Sequence, residues 1–264
     1  MPGKIIFTDP PIHERVVGVQ FGELPFYNNA HAGWFWKQWL GDDWDDLKII
    51  QPIQEVIEHF GPHKIEPQQI IAATQPIPQR AQIRRSSDQR LVQIQNTRFH
   101  LNWSKEQGLP YVEFDELLKE FFEYYGKFKD FVDKAGSLDL EENHWEVTYT
   151  NHLFKGNLWN SIADWPLVIK GLQIPYALEQ TPESLNMYWN WVLPNQVGRM
   201  HATLQTRIHL VEGTELLHLE LTCRGPLSQK IGLEEGLRIG HDAIVESFVK
   251  LTTPDAHGVW GMKE

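Results

Sequence analysis

One order of predicted elements runs through the chain twice, and this repetition constrains the fold more than any other feature. Each half begins with an alternating strand, continues through an irregular or helical insert, adds antiparallel strands and ends in a long amphipathic helix. The halves meet between Ser137 and Glu142, so residues 1–137 and 138–264 form two α+β units or one continuous domain. We predict two similar halves, each an antiparallel sheet packed on a long helix, in a duplicated helix-grip or TATA-box-binding-protein-like arrangement.

Several segments of the first half have characteristic patterns. Alternating apolar residues predict strands over residues 14–21 and 80–85. The aromatic stretch 34–40 is predicted to be helical, and residues 47–60 are predicted to continue as helix, although Pro52 would interrupt or restart it.

The segment RLVQIQNTRFHLNW predicts a hairpin with Asn96 and Thr97 at the turn. The register that follows pairs Ile94 with Phe99, Val92 with Leu101, Gln95 with Arg98 and Gln93 with His100. A second hairpin, centred on Gly213 and Thr214, is predicted to pair Leu210 with Leu217, Ile208 with Leu219 and Leu204 with Cys223.

Helical stripes of apolar residues predict the two long helices. The first begins near Phe114 and ends at Gly136, and the second runs from Leu233 to Leu251. Thr253 and Pro254 supply an N-cap and a first helical residue for a short last helix. Strands over residues 144–153 and 185–192 complete the second half.

Composition narrows the class of protein. A net charge of −11 repels phosphate backbones, so nucleic acid is expected only at a local basic surface. Cys223 is the only cysteine, which excludes an intramolecular disulfide and fits a reducing cytosol. The amino terminus lacks the apolar core of a signal peptide and no segment has the length of a bilayer span. We expect a cytoplasmic protein with no membrane partner and no cofactor.

Five segments spread along the chain carry a family resemblance: DPPIHERVVGVQF, LVQIQNTRFHLNW, YVEFDELLKEF, VTYTNHL and GHDAIVESFVKLTTPDAHGVWG. Over nearly the full length they resemble a sporadically distributed prokaryotic protein family of unknown function. The resemblance implies a cytosolic bacterial protein, but these motifs are packing and turn residues and supply no activity. Patchy distribution of this kind is often seen for accessory genes, including toxin-antitoxin and phage-defence components.

The outer face of the second hairpin carries the candidates for chemistry. In the predicted register His209 faces His218, and Arg207 faces Glu220. Two imidazoles and a carboxylate can bind Zn²⁺ or act as a general base with its orienting partner. The alternative is a solvated polar sheet face, and no HExxH or similar motif supports a metal centre. We therefore assign no catalytic residue and no metal.

Five arginines gather around one strand and the first hairpin of this acidic chain: Arg80, Arg84, Arg85, Arg90 and Arg98. A local basic surface can contact an acidic partner or phosphate. The alternative is a charged edge strand that discourages aggregation. We predict that these arginines bind a partner, and we expect nucleic acid only through them.

Aromatic residues predicted to face the closing helix form a third candidate site: Trp145, Tyr149, Met187, Trp189 and Trp191. They would line a pocket for a small apolar ligand if the sheet curved away from the helix. Otherwise they belong to the hydrophobic core.

The sequence favours a non-enzymatic binding or regulatory protein that acts through a macromolecular partner. It has no phosphate loop and no GxSxG elbow, and Cys223 is predicted to face inward. The alternative is a metal-dependent or acid/base enzyme using His209, His218 and Glu220, and the second alternative is a small apolar ligand binder. Homo-oligomerisation stays open.

Overall fold

Nine strands form one antiparallel sheet in the computed structural model, which describes residues 6–61, 79–136, 139–175, 180 and 182–263. The strands are β1 (Ile6–Phe7), β2 (Ile12–Phe21), β3 (Asp46–Ile50), β4 (Arg80–Arg85), β5 (Arg90–Gln95), β6 (Arg98–Ser104), β7 (Glu142–Phe154), β8 (Asn186–Val192), β9 (Arg199–Ile208), β10 (Glu215–Pro226) and β11 (Met262–Lys263). The helices are α1 (Asn29–Phe35), which continues as a π-helical turn (Trp36–Leu40), α2 (Phe114–Gly136), α3 (Leu233–Leu251) and α4 (Pro254–Val259). The predicted α+β class with an antiparallel sheet is confirmed.

The order across the large sheet is β3-β4-β5-β6-β2-β7-β10-β9-β8, while β1 and β11 pair separately. The two parts of the chain meet at the middle, where β2 pairs with β7 and Val17 lies opposite Val147. Outward from β2 the next strands are β6, β5 and β4, and outward from β7 they are β10, β9 and β8.

Helices α2 and α3 cover one face of the sheet. Strand alternation turns apolar side chains toward them, so Val17, Val19 and Phe21 of β2 are fully buried. Trp145 of β7 is enclosed at close range, because a Cβ atom at Gly236 would lie 2.3 Å from Trp145 Cδ1 and one at Gly240 would lie 2.8 Å from its Cζ3. The two helical glycines therefore let α3 approach the indole ring.

The first hairpin has the predicted register, since Ile94 pairs with Phe99 and Gln93 with His100. The predicted register of the second hairpin is wrong by four residues: Leu219 pairs with Leu204, and His218 pairs with Gln205. Strand β9 ends at Ile208, so the residues beyond it, which the pattern predicts as strand, form a loop in which His209 N–H donates to Thr214 O at 2.8 Å. An even shift keeps the predicted faces, and Cys223 is buried on the helix side.

The predicted continuation of helix over residues 47–60 is also wrong. Residues Asp46–Ile50 form an edge strand in which Leu47 lies opposite Ile83 of β4. Residues 51–60 have no regular secondary structure. Pro52 has no backbone N–H to donate, and the backbone groups that follow bond to side chains of the sheet instead of to a helical turn.

The long helices and the short last helix match their predictions, and Thr253 caps α4 through its side chain. Among the described residues, no helix is long and apolar enough to cross a membrane.

Candidate functional site

The sheet face opposite the helices, here called the open face, is polar. One line of paired residues across it runs from Gln93 through His100, Gly18 and Glu146 to Arg224. Around this line lies a cavity of about 310 Å³ whose walls carry carboxylates, amides, hydroxyls and guanidinium groups.

Residues 51–60, here called the strap, cross the open face perpendicular to the strands. Their contacts, in chain order, fall on β5, β6, β2, β7, β10 and β9, which is the order of these strands in the sheet. Six adjacent strands span about 24 Å at the usual spacing. Residues 53–59 reach roughly 20 Å when extended, so the strap must be nearly straight.

Side chains of the sheet bind the strap by its backbone. Gln95 accepts a hydrogen bond from Ile53 N–H and donates one to Ile53 O, both at 2.9 Å. Further along, the Arg98 guanidinium donates to Gln54 O at 2.8 Å. Gln20 Oε1 accepts from Val56 N–H at 3.2 Å, His144 Nε2 accepts from Glu58 N–H at 3.2 Å, and Arg199 Nη2 donates to His59 O at 2.6 Å. The sheet thus holds six backbone groups of one extended segment.

The carboxylate of Glu58 points into the open face, with 6% of its side chain exposed. Arg199 Nε donates to Oε2 at 2.7 Å, Arg224 Nε donates to Oε1 at 2.7 Å, and His201 Nε2 lies 2.6 Å from Oε1. Burial alone would raise the pKa of Glu58, but hydrogen bonds from His201 and Arg224 outweigh it and lower the pKa to about 2. Glu58 is therefore ionised at neutral pH.

A second buried carboxylate, Glu146, lies beneath the strap. Arg224 Nη1 donates to Glu146 Oε2 at 3.3 Å, and Arg98 Nη1 donates to the same oxygen at 3.4 Å. Burial opposes ionisation, yet His100, Arg98 and Arg224 together lower the pKa of Glu146. Arg224 joins the two carboxylates and makes them one network.

The structure divides the five predicted partner-binding arginines between the two faces. Arg85 and Arg90 lie on the helix face, where Arg90 binds Glu120 through two nitrogens at 2.6 and 2.9 Å. On the open face, Arg98 is buried against the strap, while Arg80 and Arg84 are half-buried. They form no single basic surface.

The predicted trio of His209, His218 and Glu220 is only partly assembled. His218 Nε2 lies 3.9 Å from Glu220 Oε2, whereas His209 is displaced by the corrected register and lies 3.6 Å from Glu212. His218 instead neighbours His152, which stacks on His13 with ring centroids 4.0 Å apart. Burial, followed by the neighbouring imidazoles, lowers the pKa of His152 to about 3. The described part of the chain holds no group of three or more His, Cys, Asp and Glu side chains able to bind a metal ion.

The aromatic residues proposed to line an apolar pocket separate into two groups. Trp145 and Tyr149 are buried core. Met187 and Trp189 are half-buried, and Trp191 is 41% exposed because β8 is the last strand of the sheet.

Sequence reasoning missed the strap, Glu58 and Glu146. The one signal was the alternation of polar residues on β5, β6 and β7, which indicates a second buried face once the register of the first hairpin is known. Comparisons of the chain with protein-family models, curated proteins and solved structures gave no significant match. The family resemblance therefore stays a prediction.

Proposed function

We propose that this protein is a non-enzymatic binding protein that recognises an extended segment of a protein partner on the open face of its sheet. One observation carries the proposal: the face already holds six backbone groups of an extended segment through side chains of Gln20, Gln95, Arg98, His144 and Arg199. Backbone hydrogen bonds are the general means of recognising extended polypeptides, with side-chain pockets adding specificity.

The cavity beside the strap supports the same use. It is lined by Arg80, Glu14 and Glu220 together with amide and hydroxyl groups, so it suits a polar segment and not an apolar ligand. Within the part of the chain that the structure describes, the buried Nε2 of His100 and Nε of Arg98 have no hydrogen-bond partner, and a partner segment would supply acceptors or donors for them.

Charge reversal at the rim of the open face tests the proposal. Arg84 is half-buried on the open face, and Arg84→Glu replaces this cation with an anion. We expect the substitution to weaken the affinity of the stoichiometric complex recovered from the native host at least tenfold, and the loss to depend on salt concentration. Lys119→Glu, an exposed reversal on α2 of the helix face, is the matched control and should leave the complex intact. Equal loss with both variants, or no loss with either, would contradict recognition on the open face.

A second candidate is general acid/base chemistry at His218 and Glu220, favoured by the 3.9 Å separation of His218 Nε2 from Glu220 Oε2 and by the position of Glu220 in the cavity wall. It predicts that His218→Ala and Glu220→Gln abolish function while folding and partner binding persist. The binding proposal instead expects His218→Ala to leave both partner binding and function intact, because His218 does not line the cavity.

We also propose that residues 1–137 and 138–264 are copies of one helix-grip-like unit in a cytoplasmic protein. The matching strand order outward from β2 and β7 supports the duplication. An accessory role in a toxin-antitoxin or phage-defence locus follows only from the family resemblance, and the neighbouring genes in the source genome test it.

A further inference from the structure

We propose that Arg199, His201 and Arg224 form a receptor pocket for an acidic side chain of an extended partner peptide, and that the strap is an internal competitor which occupies this pocket through Glu58. The inference rests on the proposed recognition of extended polypeptide by the open face, and it names the chemistry of the ligand and the regulation of the site.

The pocket is complementary to a carboxylate. Two guanidinium groups and one imidazole converge on both oxygens of Glu58 at 2.6 to 2.7 Å. Hydrogen bonds between charged groups are the strongest that side chains make, and arginine matches carboxylates best. If the strap leaves, Arg199 loses the carboxylate with which it forms an ion pair at 2.7 Å. An anionic side chain of a partner peptide would restore this pairing.

The strap is held by polar contacts and contributes little to the apolar core. Ile57 is 52% exposed, and Gln54 and Glu55 are also exposed. Ile53 and Val56 are half-buried. A peptide that makes the same hydrogen bonds can thus replace the strap with little loss of apolar burial, which is the property of a segment that opens locally.

The contacts favour a peptide over a free anion. Gln95 on β5 and His144 on β7 bind backbone groups of residues 53 and 58. Strands β6 and β2 lie between β5 and β7, so a single phosphate or acetate ion is too small to make both contacts. The ligand is therefore an extended peptide with Glu or Asp at one position, and hydrogen-bonding backbone on its amino-terminal side.

A peptide supplied in trans tests the pocket. The probe is a fluorescent peptide of residues 51–60, QPIQEVIEHF, compared with the same peptide carrying Glu58→Gln. The receptors are the full chain and the full chain with Glu58→Ala, and the measurement is fluorescence anisotropy, with circular dichroism to verify folding. We expect the variant to bind the acidic peptide at least tenfold more tightly than the Glu58→Gln peptide. We also expect the Glu58→Ala variant to bind the acidic peptide at least tenfold more tightly than the wild-type chain does. In wild type the tethered strap competes with the peptide at millimolar effective concentration.

Equal affinity of the variant for both peptides would overturn the carboxylate pocket, and equal affinity of wild type and variant would overturn the competition. Displacement of the peptide by millimolar acetate or phosphate alone would overturn the peptide specificity. If Glu58→Ala does not fold, full-chain Glu58→Gln, which keeps the side-chain volume, is compared in the same way. The proposed function and the pocket can fail separately. If the acidic peptide binds as expected but the Arg84→Glu variant keeps its partner, the proposed function is refuted and the carboxylate pocket is supported.

Discussion

Glu58 lies in a segment without regular structure, yet its carboxylate binds residues 141 and 166 positions away in the chain. Sequence reasoning placed it in a helix, because local apolar spacing cannot reveal partners at that distance. The same reasoning found Arg98 and the polar alternation of the first hairpin, because cross-strand pairing follows from a two-residue turn. Contacts between residues on neighbouring strands were therefore predictable only where a two-residue turn connects the strands.

The lowered pKa of Glu58 makes part of the folding stability depend on pH. The pKa is about 2 in the folded state against 4.5 for the free side chain, so the stabilisation is complete above pH 4.5 and is lost as the pH falls toward 2. We expect Glu58→Gln to lower the free energy of unfolding by about 2 to 3 kcal/mol at pH 7. The difference from wild type should shrink by about 1 kcal/mol at pH 3.5 in urea unfolding. A difference that does not change with pH would show that Glu58 is not held as a carboxylate.

The imidazoles near His152 predict a separate acid sensitivity. Burial, then the charges of His13, His218 and His209, lower the pKa of His152 to about 3. A histidine with a lowered folded pKa stabilises the fold above pH 6.5, and this contribution is lost as the pH falls from 6.5 toward 3. We expect His152→Gln to reduce the fall in unfolding free energy between pH 7.5 and 4.5 by about 2 kcal/mol. Identical pH profiles for the two proteins in urea unfolding would contradict this.

At the scale of elements, the two hairpins show what periodicity can and cannot determine. Residues on both faces of β9 and β10 were assigned correctly, because an even shift in register preserves the alternation. Pairing partners were wrong because Leu210 and Val211, which fit a strand pattern, lie in the loop and are 97% and 90% exposed. Apolar residues normally signal burial, so the pattern located the turn at Gly213 but did not show that the loop also includes Leu210 and Val211.

The close packing of α3 on β7 predicts that Gly→Ala substitutions in the two long helices change the free energy of unfolding in opposite directions. Gly→Ala inside a helix stabilises by up to about 1 kcal/mol where there is space. A Cβ at Gly236 would lie 2.3 Å from Trp145, whereas one at Gly126 of α2 would meet no described atom within 4 Å outside its own helical turn. We expect Gly236→Ala to destabilise by about 1 to 3 kcal/mol and Gly126→Ala to stabilise by about 0.5 to 1 kcal/mol in urea unfolding. Stabilisation by both substitutions would show that α3 does not approach the indole closely.

For the whole molecule, the α+β class with antiparallel strands was predictable because strand and helix periods differ clearly along this chain, whereas the joining of all nine strands in one sheet was left open by the sequence. The candidate site was not predictable, since it forms only when the strap crosses six strands contributed by both halves. Such a site has no local sequence signature.

The central pairing of β2 with β7 predicts how the halves depend on each other. Separation at residue 137 would expose β2 and β7 along their full paired length and would remove Glu58 from its arginines. We expect residues 1–137 and 138–264 to aggregate when expressed alone, and to form a one-to-one complex with the native circular dichroism when co-expressed. Two halves that each unfold cooperatively as monomers would instead identify independent domains.

The bond between the strap and the far half also has an evolutionary consequence. A neutral residue at position 58 would leave Arg199 and Arg224 without their shared counter-charge, and loss of either arginine would leave the carboxylate with one guanidinium fewer. Positions 58, 199 and 224 should therefore covary in related chains, although they are distant in sequence. A lineage that has lost the acid should also have replaced an arginine, and in that lineage the receptor pocket would have changed its specificity.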